Sequence, residues 1–156
     1  MASTGDQNEL IEAGLAYWNR LRGTRAMPTR ADIDPADIKR LLPFVVLIDV
    51  LHDPLDFRFR LLGTEVDRIV AVNPRGKLFS EVAHTRQGST IWARHAEVVA
   101  TCAPVICTID YVGPDRYVGR HIRQMHAPLT DDGGQRVVMI FTILRIERLP
   151  EGGPTS

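Results

Sequence analysis

Apolar side chains recur at helical spacing in two long stretches of the chain. From about Asp6 the apolar positions fall every three or four residues and end at Leu21, which predicts an amphipathic first helix. A second helix is predicted from about Ser89 to Ala100, and Pro104 stops it from continuing. One long helix therefore stands near the start of the chain and the other in its second half.

The first two β-strands are predicted between these helices. Residues 44–51 are almost continuously apolar, as expected of a strand that is buried on both faces. Residues 57–62 instead alternate, so that Phe57, Phe59 and Leu61 share one face of a second strand. The short link between the two runs predicts antiparallel pairing.

The pattern changes from strand to helix at Gly63 and Thr64. Helical spacing over residues 64–70 predicts a short helix. Upstream, Asp34 followed by Pro35 predicts the start of another short helix, since aspartate caps helix N-termini and proline suits the first helical position. After the second long helix come the runs PVICTIDYV, RYVGRHIRQMHAPL and QRVVMIFTILRI, joined by GPD and TDDGG. Glycine and aspartate favour hairpin turns, so these runs predict a three-stranded meander.

Length, charge and cysteine content limit the classes of protein to which the chain can belong. With 156 residues, the chain is long enough for one well-buried core. Its 19 basic and 19 acidic residues balance, which argues against nucleic acid or a membrane surface as a partner. No apolar run is long enough for a membrane span, so we expect a cytoplasmic protein. Cys102 and Cys107 lack the companions of a zinc site or a disulfide framework, and we expect reduced thiols.

Several segments of the chain together resemble a known sensory fold. They are W-x-x-L-R-G-x-R-x-M-P-x-R-x-D-I-D-P over residues 18–35, LLPFVVLIDV, FRFRLLGT and the ending APLTDDGGQRVVMIFTILRIER. The combination resembles the PAS sensory domain, and in particular a bacterial family of stand-alone PAS-like proteins. The resemblance covers roughly residues 18–148. It implies a fold but says little about chemistry.

The resemblance implies an α+β fold with a five-stranded antiparallel sheet in the order 2-1-5-4-3. Helices cross one face of such a sheet and often enclose a small-molecule pocket, and an N-terminal amphipathic helix precedes them. The bend at Gly63 would carry the chain off the second strand and over the sheet. We expect the helix in residues 1–23, the PAS-like domain in residues 24–148 and a disordered tail in residues 149–156.

Five side chains are candidates for lining that pocket. Trp92, His95 and Val99 share the apolar face of the second long helix, while His121 and Arg123 lie on the fourth strand. Two alternatives stand beside this interpretation. A histidine on an apolar face is commonly a core residue with one hydrogen bond, and alternation along the strand equally allows His121 and Arg123 to be exposed.

The sequence gives no support for a metal site at the other histidines or for haem or flavin as a cofactor. His84 and His126 have no partner at metal-ligand spacing and are interpreted as surface residues. In haem-binding PAS domains the axial histidine would fall near Ile91, one turn before His95, so we do not expect haem. The flavin-adduct PAS domains carry a cysteine in the lid, and here the lid between Thr64 and His84 contains none. We therefore do not expect that flavin chemistry, and no catalytic motif is present.

Three hypotheses for function follow. The first is a stand-alone sensory or small-molecule-binding module that signals in trans to a partner protein. The second is a ligand-free interaction module that forms a homodimer through the first helix, with Trp18 as a possible anchor; packing of Trp18 on its own sheet is the alternative. The third is a small cone-shaped enzyme that acts through His95 or His121, although we expect no enzymatic activity.

Overall fold

Five strands form one antiparallel sheet at the centre of the computed structural model, which describes residues 3–70, 72–110, 120–131 and 135–147. The strands are β1 (Val45–Leu51), β2 (Asp56–Leu62), β3 (Val105–Asp110), β4 (His121–Thr130) and β5 (Val137–Ile146). Their order in the sheet, β2-β1-β5-β4-β3, is the one expected from the resemblance. The longest strands, β4 and β5, lie side by side near its middle.

The first helix covers one face of this sheet. Helix α1 (Ser3–Arg22) begins three residues before the predicted start and packs on β4 and β5. Trp18 is buried, and its indole Nε1 donates a hydrogen bond of 2.8 Å to the backbone oxygen of Pro128. The Tyr17 ring lies 6.4 Å from that of Phe141, measured between centroids. Trp18 therefore anchors α1 to the sheet of its own chain.

Short helices and one longer helix cover the opposite face. Helix α2 (Thr64–Ile69) starts directly after β2, and α3 (Thr90–Thr101) lies against β3, β4 and β5. The other turns are 3-10 helices, at Arg30–Asp32, Pro35–Ile38, Leu42–Phe44 and Phe79–Glu81. The predicted cap at Asp34 is present, since its side chain accepts a hydrogen bond from the backbone nitrogen of Ala36.

An irregular register between β1 and β2 corrects one prediction. Leu47 pairs with Leu61, but the next residue, Ile48, pairs with Phe59. The skipped residue forms a bulge, which reverses the side-chain alternation beyond it. Leu61 is consequently exposed, at 38%, and Leu62 takes the position on the apolar face. The prediction that Leu61 shares a face with Phe57 and Phe59 is wrong for this reason.

The start of α3 provides a test of local stability. The hydroxyl of Ser89 accepts a hydrogen bond of 3.0 Å from the backbone nitrogen of Trp92. We expect Ser89→Ala to lower the free energy of unfolding by about 1 kcal/mol, because a helix N-terminal donor loses its partner. Urea denaturation measures the change. Ser89→Asp is the control, since aspartate keeps the acceptor and suits the helix dipole, and an equal loss in both variants would contradict the capping role.

Some predictions fall outside the described residues. The link between β3 and β4 lies in residues 111–119, part of the turn between β4 and β5 lies in residues 132–134, and the predicted disordered tail lies in residues 149–156. Within the described part of the chain, none of the helices combines the length and apolar character that crossing a membrane requires.

Candidate functional site

A cavity of about 550 Å³ lies between the sheet and the helices on the α2 and α3 side. All five strands contribute to its wall, through Val46, Phe59, Ile109, Ile122 and Leu144 among others. The volume lies within the range of small-molecule sites in proteins. The bend after Gly63 leads the chain directly into α2, whose Val66 and Ile69 also line the cavity.

Packed aromatic rings lie beside the cavity, and two of them, Phe79 and His95, line it. The buried ring of Phe57 lies 5.1 Å from Phe79 and 5.0 Å from Trp92, measured between centroids. His95 of α3 lies 4.8 Å from Phe79, edge to face. Rings arranged in this way gain stability beyond the burial of their area, so the position of His95 is well determined.

His95 presents a neutral imidazole to the cavity. Its Nδ1 lies 2.8 Å from the backbone oxygen of Ile91. Because a carbonyl oxygen only accepts, Nδ1 carries the proton and Nε2 is left with a lone pair. Burial lowers the pKa of His95 to about 4, and the hydrogen bond to Ile91 acts weakly in the opposite direction. His95 is thus both a satisfied core residue and part of the cavity wall.

A second buried histidine lies directly beside the first. The ring of His126 on β4 is 4.4 Å from that of His95, and its Nδ1 is 2.8 Å from the hydroxyl oxygen of Thr142 on β5. Its Nε2 is buried without a hydrogen-bond partner among the described residues. Burial, together with the nearby His95 and Arg94, holds the pKa of His126 well below its usual value.

The interior of the cavity is polar in one region and uncharged. Gln124 is buried, and its side-chain amide makes no hydrogen bond to another described residue. Among the lining residues that the structure describes, only Lys77 and Glu81 carry formal charges, and both are exposed. His84 is exposed beside them. The neutral polar groups therefore cluster inside, and the charges lie at the rim formed by Lys77, Glu81 and His84.

Of the five candidate residues, His95 alone belongs to the set that lines the cavity. Trp92 packs edge-on against Phe57 behind the wall, and Val99 packs against the core. His121 and Arg123 point to the α1 side of the sheet. His121 Nδ1 lies 3.0 Å from Asp110 Oδ1, and Arg123 donates to the hydroxyl of Thr108 at 3.0 Å.

Sequence reasoning missed the residues of β4 that face the cavity. On β4 the side chains of Ile122, Gln124 and His126 face the cavity, and the odd-numbered positions face α1. The interpretation of His126 as a surface residue is wrong, since the side chain is 1% exposed. The register sets His126 opposite Thr142, but the pairing shifts by one residue between Leu129 and Thr130, so counting outward from the turn would not have found it.

Across the described ranges, no group of three or more histidine, cysteine, aspartate or glutamate side chains could hold a metal ion. The His121 and Asp110 pair is exposed and lies on the face opposite the cavity.

Comparison with known proteins assigns the fold to a family. The family model described as PAS domain matches residues 8–143, which include all of β1 to β4 and most of α1 and β5. None of the curated proteins matches the chain. The PAS assignment indicates a sensory or interaction module of a generally non-enzymatic class. The strand order, the helices on both faces and the extent of this match together establish that the chain belongs to the PAS domain family.

Proposed function

We propose that this PAS domain is a sensory module that binds a small molecule in the cavity between the sheet and α3. The cavity of about 550 Å³, apolar on most of its wall and with a few neutral polar groups in one region, is the observation that carries the proposal. Small-molecule sites typically combine such an apolar wall with a small number of placed polar groups.

The two faces of the central strands offer a route from ligand to signal. His126 and Thr142 face the cavity, while their neighbours Met125 and Ile143 face α1. A Cβ atom at Gly14 of α1 would lie 2.3 Å from Ile143 and 3.3 Å from Met125, so helix and strands are in close contact. A ligand that shifts β4 or β5 would therefore move α1. Such a ligand biases two conformations only by its difference in affinity for them.

In this proposal a partner protein reads the position of α1 or of the sheet. The homodimer remains a prediction. It was expected to form through the apolar face of α1, but that face is buried on the chain's own sheet. Light scattering at high concentration checks it, and a strict monomer would contradict it. We do not propose an enzyme, since PAS domains are generally non-enzymatic and His121 lies away from the cavity.

A blocked cavity tests ligand binding. Leu144 lines the cavity from β5, and we expect Leu144→Trp to fill part of it with the indole. The uncharged fluorophore N-phenylnaphthylamine serves as the probe, and its fluorescence rises when it enters an apolar site. We expect Leu144→Trp to weaken its binding by about tenfold or more, which corresponds to ~1.4 kcal/mol.

The matched control makes the same change outside the cavity. Leu61 on β2 is 38% exposed and does not line the cavity, so Leu61→Trp should bind the probe like the unaltered protein. Equal binding by all three proteins would contradict a site in the cavity. Native mass spectrometry and an absorbance spectrum of the freshly purified protein then report whether a natural ligand or a coloured cofactor is retained.

A further inference from the structure

The cavity contains an incomplete chain of hydrogen bonds. On one side, Nδ1 of His95 donates to the backbone oxygen of Ile91, which leaves Nε2 of His95 as an acceptor. On the other side, His126 shares a hydrogen bond with Thr142 and has a buried Nε2 without a partner among the described residues. When the Thr142 hydroxyl donates to Nδ1, Nε2 of His126 carries a proton and becomes a donor.

With the Thr142 hydroxyl as donor and the two rings 4.4 Å apart, one group placed between the two Nε2 atoms would satisfy both of them. A hydroxyl donates its proton to Nε2 of His95 and accepts one from Nε2 of His126. An ether or carbonyl oxygen only accepts, so it would face the lone pair of His95. An ammonium group only donates and would leave the His126 proton unpaired. A buried polar group without a partner is costly, which makes the complementary group the favoured one.

The charge of the cavity wall further limits the chemical class of the ligand. The lining residues inside the cavity carry no formal charge, and the only charged side chains among the described lining residues, Lys77 and Glu81, are exposed at the rim. Arg94, whose charge acts on His126, is not among the lining residues and pairs with Glu97 at 3.3 Å. A carboxylate or phosphate inside would therefore be buried without a cation of its own in the wall, at a large cost in free energy. The ligand group that meets the two histidines is therefore neutral.

We infer that the cavity binds an uncharged, largely apolar alcohol or phenol, whose hydroxyl is held between His95 and His126. This inference rests on the proposed function and adds the chemical class of the ligand. Gln124, buried in the same wall with a free side-chain amide, is placed to bind a second polar group on the same molecule.

Three compounds that share one apolar body test the inference on the unaltered protein. They are naphthol, its methyl ether and the naphthoate with the same point of attachment, with affinities measured by equilibrium dialysis near neutral pH. We expect naphthol to bind about tenfold or more tightly than the ether, because the ether cannot donate to His95. We expect the naphthoate to bind more weakly than naphthol, because its charge would be buried.

Variants then locate the group responsible. We expect His95→Phe to bind naphthol and the ether with similar affinity, since the nitrogen that accepts the hydroxyl proton is gone. If that variant fails to fold, His126→Leu removes the donor and should weaken the binding of both compounds, and the comparison of compounds on the unaltered protein needs no variant. Leu61→Trp is the control, with discrimination expected to be unchanged.

The outcomes separate this inference from the proposed function. Equal binding of naphthol and its ether, blocked by Leu144→Trp, would overturn the hydroxyl assignment while keeping the cavity as a ligand site. Tightest binding of the naphthoate would overturn it as well. Failure of all three compounds, together with failure of N-phenylnaphthylamine, would contradict the proposed function itself. Tighter binding of naphthol than of the ether, with the difference lost in His95→Phe, supports the inference.

Discussion

Acidification from about pH 7 to about pH 5 is expected to lower the free energy of unfolding by about 2 kcal/mol through His95 alone. In the folded protein the pKa of His95 is about 4, because burial disfavours the charged ring, whereas in the unfolded chain it returns to about 6.5. The unfolded state therefore binds more protons in this interval. The contribution of His95 to stability is fully present above its pKa in the unfolded chain. It is lost as the pH falls towards its pKa in the folded protein.

His126 acts in the same direction. Its pKa is also lowered, by burial and by the neighbouring His95 and Arg94. The two rings lie 4.4 Å apart, so a proton on one disfavours a proton on the other. Protonation of either ring is therefore unfavourable in the folded protein. The total decrease in the free energy of unfolding on acidification should exceed the decrease that His95 alone contributes.

Urea denaturation at several pH values measures this effect, and His95→Phe isolates it. Carboxylates also titrate as the pH falls, so the informative quantity is the pH dependence of the difference between the two proteins. We expect the advantage of the unaltered protein over the variant to shrink by about 2 kcal/mol over the same interval. A difference that stays constant would contradict a neutral, buried His95.

Most of the fold follows from local patterns in the sequence. The apolar run of β1, the alternation of β2 and the cap at Asp34 each reflect a short-range rule, and each lies within a few residues of its predicted position. The resemblance supplied the strand order, which no local pattern contains. The bulge opposite Leu47 could not be predicted, because it depends on how β1 and β2 pair rather than on either strand alone.

Of the candidate residues, only His95 on helix α3 was predicted correctly to line the cavity. His95 follows from the apolar stripe of α3, because helical spacing assigns it to a face directly. On β4 both faces are buried over most of its length, one by α1 and the other beside the cavity. Alternation along β4 then produces two faces that do not differ in polarity. The sequence therefore did not show which face lines the cavity, and His121 and Arg123 were selected instead of His126. Only the pairing with β5 distinguishes the two faces.

Replacing Gly63 with alanine is expected to destabilise the protein by an amount near or above the upper end of the roughly 1–3 kcal/mol typical of overpacking. A Cβ atom there would lie 2.3 Å from the backbone oxygen of Leu42 and 2.5 Å from that of Pro43. These are backbone atoms of the 3-10 helix before β1, so no side chain can rotate away. The hydrogen bond of 2.7 Å from the Gly63 nitrogen to the Val45 oxygen holds the two segments together.

Gly23→Ala separates this close approach from the conformational freedom of glycine. Gly23 has a φ of +58° and no atom within 4 Å of an added Cβ, so its replacement strains only the backbone, at about 1 kcal/mol. Gly63 has an ordinary φ of −66°, so its cost arises from the contact alone. We expect urea denaturation to give the larger loss in the free energy of unfolding for Gly63→Ala.

Since α2 starts at the next residue and lines the cavity, the Gly63→Ala variant should also bind N-phenylnaphthylamine more weakly. A Gly63→Ala protein as stable as Gly23→Ala would contradict the requirement for glycine where the chain leaves the sheet to form the cavity wall.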